Sequence, residues 1–157
     1  MTAGLEGGRI IGTPMRVILD TNVWLDWLVF DDPRVRPIAA AIDRGEAEVL
    51  ATPPMLDEFG AVILRPHFGL DDAAREAARA RQHATVRLQS LAPDCRLACT
   101  DPDDRMFIDL AVGAHADWLL SRDKALLRLR RVAHRRFGLR IGTPEDWSAA
   151  ASAPASA

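Results

Sequence analysis

The chain has 157 residues, with 20 Lys and Arg against 22 Asp and Glu, a formal net charge of −2, and 48% hydrophobic residues. That length predicts one domain with a core large enough to need neither disulfides nor a structural metal, and two cysteines, Cys95 and Cys99, exclude a disulfide framework or a complete cysteine metal site. No apolar run approaches the roughly 18 residues of a membrane span and no signal-peptide pattern opens the chain, so a cytoplasmic protein with no membrane partner is expected. Taken in order, residues 1–14 are Gly-rich and aperiodic, and read as a disordered extension with Met15 as an alternative start.

Val17-Ile18-Leu19 is a short apolar run of the kind buried on both faces of a parallel sheet, and it stops abruptly at Asp20-Thr21-Asn22. A helix follows over Val23 to Leu28, then a turn at Asp31-Asp32-Pro33 and a short helix ending near Gly45. Glu48 to Ala51 reads as the second strand. Thr52-Pro53-Pro54 opens a helix over Met55 to Leu64, stopped by Arg65-Pro66. Asp71-Asp72 starts an Ala- and Arg-rich helix to about Gln89, and a weak strand is expected near Arg96 to Cys99. Asp101-Pro102-Asp103-Asp104 starts a helix through Val112; Asp117 to Leu120 reads as a strand, Asp123 to Leu129 as a helix, and Leu139 to Ile141 as a last short strand. Thr143-Pro144-Glu145-Asp146 caps a final helical turn, and residues 148–157 read as a disordered Ala/Ser/Pro tail. Strands alternating with helices predict a three-layer α/β/α sandwich with a mainly parallel central sheet over residues 15–147.

Nearly every helix starts with acids, so most carboxylates here are caps that accept backbone N–H groups and favour the positive end of the helix. Thr143 to Asp146, Asp71 and Asp72 belong to that class, and Asp101 and Asp103 mainly do. Four acids stand apart. Asp20 and Asp123 each follow an apolar strand and can project over one sheet edge, where open parallel sheets bind their ligands. Helical phase places Asp104 at the border of the face defined by Phe107, Ile108, Leu110 and Ala111, and sends Asp109 into solvent. The same phase puts Glu58 at the edge of the Met55, Leu56, Phe59, Val62, Ile63 face, with Asp57 pointing away. Four converging carboxylates would drive protons onto some of them unless a cation intervened. An all-oxygen donor set suits Mg²⁺ or Mn²⁺, and such an ion serves phosphodiester hydrolysis.

The segment Val17-Ile18-Leu19-Asp20-Thr21-Asn22-Val23-Trp24, with Asp57-Glu58, Asp101-Pro102-Asp103-Asp104-Arg105-Met106-Phe107 and Trp118-Leu119-Leu120-Ser121-Arg122-Asp123, resembles the PIN-domain nucleases, especially VapC-like toxin components of toxin–antitoxin pairs. The resemblance runs from about Val17 to Trp147. It implies a PIN-like fold, a metal-dependent endoribonuclease acting on RNA and leaving a 5′-phosphate and 3′-hydroxyl, a homodimer, and a small antitoxin as partner. It assigns Asp20, Glu58, Asp104 and Asp123 to catalysis and metal binding, with Thr21, Asn22 and Ser121 as polar support. Arg122, Lys124 and Arg128, within a basic cluster running to Arg140, are candidates for the RNA backbone. Arg105 replaces the small polar residue that related sequences often carry. It keeps open a catalytically weak RNA- or antitoxin-binding module. A phosphatase of the haloacid-dehalogenase type expects a second Asp two residues after the first, where this chain has Asn22.

Overall fold

The computed structural model describes residues 5–6, 9–10, 13–97 and 104–153. Its centre is β3 (Met15–Leu19), whose Val17, Ile18 and Leu19 are at most 1% exposed. A strand so covered must be flanked on both edges, and β3 pairs in parallel with β4 (Ala47–Ala51) on one side and β6 (Trp118–Leu120) on the other. β5 (Val86–Leu88) and β7 (Arg140–Gly142) complete a five-stranded parallel sheet of order β5-β4-β3-β6-β7.

Because side chains alternate along a strand, β3 feeds two separate cores. Val17 and Leu19 pack with Val23, Trp24 and Leu25 of α1 (Thr21–Leu28), with Phe59 of α3 (Pro53–Val62), and with Ile38 of α2 (Arg36–Asp43). Ile18 and Leu119 face the other way, onto Phe107, Ile108 and Leu110 of α5 (Arg105–Gly113) and Leu126 of α6 (Lys124–Leu127). Each such aliphatic side chain contributes roughly 1.5–3 kcal/mol when fully buried. The three-layer sandwich is thus the predicted one. The chain adds β4 and β5 to one side of β3, then returns to place β6 on the other, and the helices after β3 and β6 depart to opposite faces. Such a reversal opens a crevice beyond the carboxyl ends of those two strands.

Several boundaries differ from expectation. The long helix α4 (Asp72–Thr85) stops four residues before Gln89, because Val86–Leu88 pairs with Val49–Ala51 as an edge strand, a tertiary gain that overrides local helical tendency. No strand forms at Arg96–Leu97; the remainder of that expected strand lies outside the described residues. The cluster of arginines after Leu129 is ordered as α7 (Arg130–Phe137), closed by Gly138 at φ 69, a left-handed position that suits glycine. The last helix, α8 (Pro144–Ser152), runs five residues into the segment expected to be disordered, since Ala-rich sequence favours helix. Its Thr143 and Asp146 form the expected capping box. In the N-terminal segment, also expected to be disordered, β1 (Leu5–Glu6) pairs antiparallel with β2 (Arg9–Ile10).

Candidate active site

Asp20 follows β3 directly and is 3% exposed. Its backbone N–H donates to Leu120 O at 3.0 Å, so the end of β6 fixes its position. The side chain is committed on both oxygens: Oδ1 caps α1 by accepting the Val23 N–H at 2.9 Å, and Oδ2 accepts the Ser121 hydroxyl. Each carboxylate oxygen carries a second lone pair, so both keep acceptor capacity. Burial pushes the Asp20 pKa up to about 6; the Ser121 and Val23 hydrogen bonds oppose the rise, while the charges of Asp123 and Asp26 add to it.

Glu58 sits on α3, partly covered, and accepts the Thr21 hydroxyl at Oε2; Asp57 beside it is exposed, as helical phase predicts. Asp104 ends the approach to α5 and is 9% exposed. Asp20, Glu58 and Asp104 line one cleft of about 400 Å³ together with Thr21 and Asn22. The sequence therefore brings carboxylates from three distant segments to one crevice. Asp123 is not among the described lining residues. It caps α6 by accepting the Ala125 N–H at 2.7 Å, and its own N–H donates to Ser121 Oγ at 2.9 Å. Ser121 thus links Asp123 to Asp20.

Two assignments change. Asp109 does not face solvent: its side chain is 14% exposed, accepts the Cys95 N–H at 3.0 Å, and is covered by the segment leading into Arg96 and Leu97. An irregular segment folded over α5 is invisible to helical phase. Arg122 is not a free cation. Its Nε donates to Asp26 at 2.9 Å and its guanidinium meets Glu145 at 2.7 Å, tying the Ser121–Asp123 loop to α1 and α8. The Glu145 bond, and after it Asp26, raise the Arg122 pKa further above its usual range. Lys124 and Arg128 remain exposed. Arg105 turns away from the cleft, pairing with Asp94 and donating to Leu97 O at 3.0 Å.

Sequence reasoning missed the cleft's outer wall. Phe30, 56% exposed, lies 5.8 Å from the Phe68 ring, and Arg65 and His67 stand beside them. Isolated aromatics in turns carry no periodic signal.

Among the described residues, no three His, Cys, Asp or Glu side chains form a group gathered closely enough to hold a metal ion. The chemistry of the donor set still suits a hard divalent cation: the acids lining the cleft offer only oxygen, and Asp20 is desolvated beside like charges.

The family model described as "PIN domain" matches residues 16–125. The chain belongs to the PIN-domain family. Members of this family are generally nucleases. Among solved structures, a chain of VapBC2 from Rickettsia felis, bound to a DNA fragment from its promoter, superposes with a TM-score of 0.54 at 10% identity, covering 81% of this chain and 98% of that one. At that identity the likeness speaks for the PIN fold alone. No curated protein matches the chain. Among the described residues, no helix is long and apolar enough to cross a membrane.

Proposed function

We propose that this PIN-domain protein is a Mg²⁺- or Mn²⁺-dependent endoribonuclease acting on cytoplasmic RNA, and that it is the toxin of a toxin–antitoxin pair. The observation that carries the reading is the meeting of Asp20, Glu58 and Asp104 in one cleft at the reversal point of the sheet. Those three carboxylates would hold the ion, with Asp123 placed one hydrogen-bonded step away through Ser121. The ion supplies polarisation of a phosphoryl oxygen and a lowered pKa for an attacking water.

The chain's own residues do the positioning. Ser121 and the Val23 N–H fix the plane of the Asp20 carboxylate, and Thr21 holds Glu58 toward the cleft. Leu25, Val62 and Phe107 join Phe30 and Phe68 as the apolar part of the wall. Exposed Lys124 and Arg128 would meet the phosphate backbone beside α6. The antitoxin partnership draws on the likeness to the VapBC2 chain, and homodimerisation accompanies it as a proposal for light scattering to test.

The test is cleavage of single-stranded RNA. Activity that requires Mg²⁺ or Mn²⁺, stops with EDTA and disappears in Asp20→Asn supports the reading; cleavage that survives Asp20→Asn overturns it. A second reading, a catalytically weak RNA- or antitoxin-binding module, is favoured by the open arrangement of the acids. It predicts RNA binding that EDTA leaves unchanged and no cleavage under any metal.

A further inference from the structure

One concavity of the described molecule is larger than the acidic cleft. It is a groove of about 600 Å³ between α7 and the edge strand β7, lined by Arg130, Arg131, His134, Arg135 and Arg140 against the single acid Asp146. Its apolar lining, Trp118 and Ile141, is 7% and 4% exposed, and the Arg140 guanidinium lies 5.6 Å from the centre of the Trp118 ring. A solvated helix face is the ordinary explanation for such charge. The pairing pattern argues against it here. Of the arginines between residues 16 and 122, most have a carboxylate within 4.0 Å, as Arg34 has Asp32 and Arg44 has Glu46. Among the described residues, Arg128, Arg130, Arg131 and Arg135 are exposed and form no ion pair. Four exposed guanidiniums facing a single acid give this surface a net positive charge that attracts anions.

The groove is continuous with a neighbour. Arg130 and Arg131 also line a second concavity of about 460 Å³ with Lys124, Leu127 and Arg128. That second hollow begins at α6, whose cap Asp123 is bound through Ser121 to Asp20. Cations therefore run along α6 and α7, from Lys124 through Arg128, Arg130 and Arg131 to Arg135. An acidic amphipathic peptide would find Trp118 and Ile141 already nearly covered in the groove. A chain of evenly spaced phosphates matches a linear series of cations.

We infer that the α6–α7 face, ending in the groove between α7 and β7, is a phosphodiester-binding track that holds single-stranded RNA several nucleotides away from the acidic cleft. The inference deepens the ribonuclease reading, on which its choice of polymer rests. Bound there, a strand's affinity is set by charge, falls steeply with salt, and does not depend on a metal in the cleft.

The experiment measures anisotropy of a fluorescent 12-nucleotide single-stranded oligoribonucleotide in EDTA, across a KCl series, with full-length protein. Arg131→Gln/Arg135→Gln raises Kd about tenfold or more at low salt and makes the slope of log K against log[KCl] shallower by about 1.4, the share of two phosphate contacts on a single strand. A control of equal charge loss, Arg36→Gln/Arg44→Gln, leaves both unchanged. Equal binding by the α7 variant and wild type overturns the inference. So does a poly-glutamate peptide that competes with the oligonucleotide at equal charge concentration. Because turnover is absent in EDTA, the two readings fail separately. Arginine-dependent binding without cleavage in Mg²⁺ or Mn²⁺ would retain the track and remove the nuclease. Metal-dependent cleavage with wild-type affinity in the variant would do the reverse.

Discussion

Ser121 donates its hydroxyl to Asp20 across 101 positions of sequence, and the same oxygen accepts the Asp123 N–H at 2.9 Å. One small side chain therefore orients an acid of the cleft and the turn that carries Asp123. Ser121→Ala removes a buried donor and a buried acceptor together. The expected cost is about 1–3 kcal/mol of stability, with a fall in RNA cleavage larger than any loss of RNA binding; denaturant unfolding and single-turnover assays check the pair.

Asp20→Asn should make the metal-free protein more stable while abolishing cleavage. The folded pKa of Asp20, about 6, lies above the ordinary 3.8, so the folded state holds the extra proton between those values. Stability therefore falls as pH rises from about 4 to 6 and stays lowered above it. The deficit is about 3 kcal/mol at most, from 1.36 kcal/mol per pKa unit. Asn still caps α1 and carries no charge, so in EDTA the variant gains several degrees in Tm at pH 7.5 and none near pH 4. Thermal scans at both pH values test the sign.

Divalent ion should close most of that gap. Mg²⁺ or Mn²⁺ bound only by the folded wild type stabilises it by RT ln(1 + [L]/Kd), about 2.7 kcal/mol at 100 times Kd. Asp20→Asn should show little of that gain. Calorimetric titration supplies Kd, and equal shifts in both proteins would count against Asp20 as a ligand.

Arg122→Met leaves Asp26 and Glu145 without their shared counter-charge. A loss of about 1–2 kcal/mol is expected, reduced from the fully buried case because the side chains of Arg122 and Glu145 are 22% and 44% exposed. A double-mutant cycle with Asp26→Asn should recover part of it. RNA affinity should change less than in Lys124→Gln/Arg128→Gln.

A methyl group at Gly142 would sit 3.0 Å from Asp146 Cβ and 3.1 Å from Trp118 Cζ3. Gly142→Ala is expected to destabilise by about 1–3 kcal/mol, since neither the capped turn of α8 nor the buried indole gives way cheaply. Urea unfolding measures it.

The sheet and the facing of Glu58 were legible because each is written locally. Val17 to Leu19 has no polar residue to give a solvent face, and helical phase separates Glu58 from Asp57 within a single turn. The same phase failed at Asp109, because what covers that side chain is an irregular segment from another part of the chain, not its own helix. Arg122 was misjudged for a related cause: its partners, Asp26 and Glu145, come from 96 positions before and 23 after. Composition registers a cluster of positive charge without recording which members are already neutralised. The edge strand Val86–Leu88 was hidden inside a helical run until β4 offered it a partner.

Strand order carries a temporal consequence. During synthesis, β3, α1, β4 and α3 emerge first, so Asp20 and Glu58 exist well before Ser121 arrives to orient them. Only insertion of β6 beside β3, after some 120 residues have left the ribosome, can complete the crevice. A chain truncated before β6 therefore lacks the Ser121 bond that orients Asp20, and with it the assembled crevice.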